Sequence, residues 1–296
     1  MRHTRKAKAT GDISVTSRRR RSLAGQMVSM ALIPVFLRDA FTQRIGLPAW
    51  MPYGRQVVSA PYRACLARSP EERRAAYRLR FRVFNLELHE GLETAYQSGE
   101  DTDEFDAFCD HILVYDDRSG EVVGTYRLQT GFSAERRIGY YSEREFDFSP
   151  YRVLRDELVE LGRACIHPDH RKYEVLMLLW KAIAAYATDH RARYLIGCSS
   201  LTSQDPREGW AVYHRLKPML AAEPLRTVPT DAYACPLSSN DDPVEGRPPK
   251  LLRTYLALGA TICGPPALDR EFKTIDFLTL MDLNNLSPAI RGRLLD

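Results

Sequence analysis

The chain predicts an α/β fold in which a central mixed β-sheet is flanked by helices, and three observations carry that expectation. Leu158–Ile166 alternates apolar with charged or small side chains, as a half-buried strand does, and a long apolar helix follows over Lys172–His190. A short apolar run, Tyr194–Cys198, comes directly after that helix, and the order strand, helix, strand sets the two strands side by side and parallel. Upstream, His111–Asp116 and Val122–Gln129 flank Asp117-Arg118-Ser119-Gly120, a hairpin in which alternation and turn chemistry agree.

The remaining elements follow in order. Pro61–Ala67 reads as the first strand, and Ser69-Pro70-Glu71-Glu72 as a capped helix start with an acidic first turn, the helix running to about His89. An acidic loop spans Glu100–Asp110 before the hairpin. Asp205-Pro206 opens a further helix to about Leu220, and Leu251–Leu258 forms another, ended by Gly259. Ala260–Gly264 and Thr274–Leu283 are closing strands. Between these two helices, Ala221–Pro249 is proline-rich and aperiodic, the signature of a functional lid or a disordered piece.

With 296 residues, 44% apolar and 27% charged, the chain has ample material for a core. Its formal charge of +4 hides an asymmetry, because positions 1–21 hold eight Lys or Arg against one Asp and the rest is net acidic. We divide it into a basic arm over 1–58 and a single larger domain over 59–296. Ser22–Leu37 is a mostly apolar run, too short to span a bilayer but flanked as an interfacial anchor would be; a helix docked on the body is the plainer alternative. Six scattered cysteines without CxxC spacing suit free thiols in a reducing cytoplasm. No metal site is expected, since His167 and His170 stand without a further ligand pair, and nucleic-acid binding has no support beyond the arm.

Several local words narrow the family. Arg80-Phe81-Arg82-Val83-Phe84, the acidic Asp101–Asp106 loop, Arg127 and the Glu160/Arg163 pair resemble the pattern of acyl-homoserine-lactone synthases, on the fold of the GNAT acyltransferases. Glu104–Val114 (EFDAFCDHILV), Gly124–Leu128 (GTYRL), Tyr141–Ser149 (YSEREFDFS) and Val159–Arg171 (VELGRACIHPDHR) are more similar still to bacterial ornithine N-acyltransferases. The resemblance covers roughly Ala60 to Leu286. It implies transfer of a 3-hydroxy fatty acyl group from acyl carrier protein to the α-amine of ornithine, giving lyso-ornithine lipid, with no cofactor other than the donor's phosphopantetheine thioester. Related members acylate glycine or other amines.

An amine attacks a thioester only after losing its proton, and Glu160, in mid-strand, is the expected base; an ion pair with Arg163 or Arg127 is the structural alternative, and an arginine neighbour would also orient the carboxylate. The oxyanion needs a donor, which the resemblance assigns to a backbone N–H at a distortion of this strand, with Gly162 and Ala164 small enough to admit a chain. Cys165, flanked by apolar residues, reads as a buried thiol rather than a nucleophile. Arg80, Phe84, Asp101, Asp103, Asp106 and Arg127 are the expected substrate-binding set, the acids either meeting a cationic amino acid or pairing with Arg80 and Arg127 to shape the cleft. After the strand, Arg171-Lys172-Tyr173-Glu174-Val175-Leu176 lacks the glycines with which acetyltransferases cradle a pyrophosphate. Arg171 and Lys172 beside a helix N-terminus still suit a single phosphate and an acidic carrier protein. A signal synthase acting on S-adenosylmethionine and a non-catalytic membrane-binding shell are the rival readings.

Overall fold

The Ser69 hydroxyl accepts the Glu72 amide, and the Glu72 carboxylate accepts the Ser69 amide in return, so two donors that a helix start orphans are satisfied reciprocally. The computed structural model, which describes residues 56–237 and 244–295, runs this helix (α1) over Pro70–Arg80 and extends it through Leu88 with wider π-type turns. His89, in the left-handed region at φ 59°, ends it. The expected basic arm and its apolar segment lie outside the described residues, apart from positions 56–58.

Nine strands build one sheet among the described residues: β1 (Val57–Ser59), β2 (Tyr62–Leu66), β3 (Asp110–Asp116), β4 (Glu121–Thr130), β5 (Leu158–Ile166), β6 (Tyr194–Leu201), β7 (Thr261–Ile262), β8 (Ala267–Asp269) and β9 (Thr274–Asp282). Their order is β1-β2-β3-β4-β5-β6-β9-β7, with β8 also paired to β9. Only β5 and β6 run parallel, joined by the long helix Tyr173–Asp189, as the strand, helix, strand order predicts. That helix seats Val175, Leu178, Leu179 and Ile183 against Ile112, Val114, Leu128 and Val159, the centre of the largest apolar cluster. The described part of the aperiodic stretch is a fitted cover rather than a free loop. Thr227 donates its amide to Cys263 O at 2.9 Å, Thr230 to Glu145 O at 2.8 Å, and Leu268 donates to Tyr233 O at 2.7 Å.

The feature that makes the site is a parting of strands. The parallel ladder joins only Leu158–Glu160 to Tyr194–Ile196, although β5 continues to Ile166 and β6 to Leu201. On its other edge β5 carries one residue more than β4, since Thr125 faces Cys165 while Arg127 faces Gly162. The extra residue falls beside Arg163, which sits at φ 52°, and a bulge of this kind bends the strand that carries it. At the fork the two strands approach so closely that a β-carbon on Gly197 would stand 2.1 Å from Leu161 O. Gly197→Ala is therefore expected to destabilise the protein by about 1–3 kcal/mol through forced separation of β5 and β6, visible as a lower urea midpoint.

Candidate active site

Between the parted strands lies a cavity of about 260 Å³, walled by Leu161–Ala164 on one side and Cys198–Ser200 on the other. Glu160, at the fork, forms part of its wall and is 5% exposed. Its Oε1 accepts the Ser142 amide at 2.7 Å and its Oε2 the Tyr141 amide at 2.9 Å, from the start of the short helix Ser142–Glu145. Burial raises its pKa above the ordinary glutamate value, and these hydrogen bonds together with the Arg127 charge hold that rise in check. The result is a carboxylate in a fixed rotamer, near water-free surroundings, with lone pairs to spare for a proton.

Arg163 also lines the cavity. Its guanidinium lies 4.3 Å from the Phe84 ring centre and 4.5 Å from that of Phe272, and one end donates to Asp101. Its buried Nε has no hydrogen-bond partner among the described residues. Phe84 and Arg127 complete the expected residues that reach this wall.

The other members of the expected substrate-binding set, Arg80, Asp101, Asp103 and Asp106, do not line the cavity. Arg80, 1% exposed, donates to Asp101 at 2.9 Å and clamps Asp106 with two nitrogens at 2.6 and 2.8 Å. Arg127 donates to Asp103 at 2.5 Å and to Asp106 at 3.2 Å. The acids are thus consumed in a buried ion network that fixes Arg127 and Arg163 from behind, the second of the two alternatives that the sequence left open. Arg171 and Lys172 do not line the cavity either; they are exposed at the start of the long helix, with Arg171 bound to Glu87 through two contacts of 2.6 Å. Burial pushes the Cys165 thiol up to about 12, which removes its nucleophilic form at neutral pH.

Sequence reasoning missed three sets of residues that the cavity brings in. Tyr141 and Ser142 act through backbone amides, which leave no side-chain signature. Ser199, Ser200 and Thr202 come from the end of β6 and the turn after it, beyond where the apolar run stops. Asp269 and Asp276 sit inside buried strands, and Asp276 flanked by Ile275 and Phe277 was the signal available for the second of them.

Fold and cavity together define a GNAT-type acyltransferase, and the comparisons agree: residues 79–181 match the domain described as "Acetyltransferase (GNAT) domain". The chain is 32% identical over 248 residues to the L-ornithine N(alpha)-acyltransferase of Rhodobacter capsulatus, covering 79% of this chain and 96% of that one. It is likewise 32% identical over 237 residues to the enzyme of the same name from Brucella abortus, covering 75% and 84%. The solved structure of the AHL synthase LasI aligns with a TM-score of 0.46 at 12% identity over 79% of this chain and 94% of that one. The chain belongs to the L-ornithine N(alpha)-acyltransferase family.

Two expectations follow for the ion network. Arg80→Met leaves the buried Asp106 without its main cation and Asp101 with Arg163 alone, and should cost about 3–5 kcal/mol of stability in urea unfolding. For Asp101 and Asp106, burial alone would raise the pKa, but the arginine neighbours outweigh it and hold both below the ordinary aspartate value. Groups depressed in the fold stabilise it fully above the unfolded pKa and lose that contribution as pH falls through the folded one. The urea midpoint should therefore fall as pH drops below about 4, and less steeply in Asp106→Asn.

Proposed function

We propose that this protein transfers a fatty acyl group, of the 3-hydroxy class, from the phosphopantetheine thioester of an acyl carrier protein to the α-amine of ornithine. The observation that carries the reading is a buried carboxylate, Glu160, fixed by two backbone amides at the fork of β5 and β6, on the wall of the cavity that the fork opens. Beyond Glu160, the β6-facing backbone groups of β5 have no ladder partner, so an extended donor chain can hydrogen-bond there as a strand would. In this reading the thioester enters the fork, a backbone N–H of the bulged stretch Gly162–Ala164 receives the oxyanion, and Glu160 takes the proton from the attacking amine. The tetrahedral intermediate then collapses with expulsion of the thiol. Arg163, which lines the cavity and keeps one buried N–H without a partner among the described residues, suits the carboxylate of the amino acid.

Acyl carrier protein is favoured over CoA as donor because the turn into the long helix has no glycine cradle for a pyrophosphate, while Lys172 at its N-cap leaves the helix N-terminus and its positive end available to one phosphate. Among the described residues no helix is long and apolar enough to cross a membrane. We assign membrane contact instead to the basic arm and the Ser22–Leu37 segment, which would bring a cytoplasmic enzyme to the surface where its lipid product belongs.

Glu160→Gln should lower kcat by roughly 10²–10⁴-fold, the usual worth of a positioned base, in an assay that pairs 3-hydroxyacyl carrier protein with ornithine and weighs the product by mass spectrometry. Because Glu160 must be ionised to accept a proton and its pKa is raised, the acid limb of the wild-type kcat profile should lie above the ordinary glutamate range of about 4.3 and be lost in the variant. Acylation of glycine but not ornithine would replace the acceptor. Removal of Met1–Arg44 should reduce binding to anionic liposomes and leave the soluble turnover intact.

A further inference from the structure

The cavity has an acidic end that the acyl-transfer reading does not use. Asp269 and Asp276 are part of its wall, and Glu145 stands behind them, with the three carboxylates within 4.8 Å of one another. All three are buried, at 1%, 3% and 0% exposure. Ordinary acidic clusters face water or an arginine; no arginine or lysine forms an ion pair with any of these three among the described residues, and the charged groups that act on Glu145 and Asp276 are each other and Asp269. Oδ1 of Asp276 and both oxygens of Glu145 are buried without a well-formed hydrogen bond, the two carboxyl groups standing within reach of each other and of Ser200 and Tyr141.

Asp269, by contrast, is rigidly held. Its Oδ1 accepts the amides of Glu271 and Phe272 at 2.8 and 3.0 Å, and its Oδ2 accepts the Tyr141 hydroxyl at 2.8 Å. Tyr141 is the same residue whose amide binds Glu160, so one side chain spans the distance between the expected base and the acidic end. Thr230 and Tyr233, from the fitted cover, close the rear of the group through bonds to Glu145 O and Leu268 N.

Three clustered carboxylates in a dry site cannot all stay ionised unless a cation joins them. Burial accordingly pushes Asp276 up to about 6 and Glu145 well above the glutamate value when nothing else is present. We infer that the Asp269, Asp276 and Glu145 group binds the side-chain ammonium of the acceptor amino acid and so selects a dibasic substrate over a neutral one. This rests on the acyl-transfer reading above for the identity of the acceptor. An alkylammonium fits the place: it brings three donors, which Asp276 Oδ1, Asp269 and Ser200 Oγ can receive, and a methylene stem that can lie along the Tyr141 and Phe272 rings, which meet edge to face in the wall. Arg163 then meets the carboxylate and Glu160 the α-nitrogen, so the wall offers each charged group of ornithine its opposite.

The test compares ornithine with norvaline, which has the same carbon chain without the terminal amine. Wild-type protein should prefer ornithine by at least 100-fold in kcat/KM. In Asp276→Asn, and independently in Asp269→Asn, the ratio of the two kcat/KM values should collapse by at least 10-fold, a readout internal to each variant. Equal use of norvaline by the wild type, or an unchanged ratio in a folded variant, overturns the inference. Calorimetric titration without acyl donor separates it from the catalytic reading: if no amine is acylated but ornithine and 1,4-diaminobutane bind the wild type and bind Asp276→Asn at least 10-fold more weakly, the cation site stands and the reaction falls. Binding of neither overturns it, as does micromolar binding of Mg²⁺ or Ca²⁺ that displaces ornithine, which would make the group a metal site.

Discussion

Strand β5 shares a ladder with β6 for three residues and then leaves it, and every other feature of the site depends on that departure. A strand with a partner on both edges has no backbone to offer a ligand. The bulge beside Arg163 turns β5 away, and Gly197 lets the strands touch at Leu161 just before they part. What opens is a slot with unpaired backbone on its edge and a carboxylate at its apex, the two things that addition of an amine to a thioester asks for: a donor for the oxyanion and an acceptor for the proton.

An open slot is a weak point in a sheet, and the arginine and aspartate network is its counterweight. Arg80 comes from α1, Asp101, Asp103 and Asp106 from the loop after it, Arg127 from β4 and Arg163 from the bulge itself. The network therefore ties the bent strand to the helix packed against it. Such buried pairs contribute little net stability compared with apolar packing, yet breaking one is costly, which makes them good at holding a single geometry. Arg127 and Arg163 reach the cavity wall, while Arg80 and the three aspartates stand behind them and belong to the site's frame.

Much of this was legible beforehand. The hairpin, the capped first helix, β5 to the residue and the parallel β5–β6 pair all follow from periodicity, caps and turn chemistry acting locally. Glu160 was legible because a lone glutamate in a strand of that kind is conspicuous. What stayed hidden depends on contacts distant in sequence. Tyr141 and Ser142 hold Glu160 through amides that any residue possesses, and their helix is a single turn, too short to leave a period. Strand β8, three residues long, has no pattern at all, and the cover over 221–237 is ordered by bonds to β7, β8 and the Ser142 helix rather than by its own sequence. The meeting of Glu145, Asp269 and Asp276 joins residues more than a hundred positions apart.

The most direct measurement of the account is a crystal structure with ornithine and a non-hydrolysable acyl-pantetheine analogue. The thioester carbonyl is expected in the fork between β5 and β6, against the Gly162–Ala164 backbone, with the α-nitrogen of ornithine within hydrogen-bond reach of Glu160, directly or through one water. A pantetheine chain bound outside the fork, or an α-nitrogen held on a wall that Glu160 does not share, would contradict it.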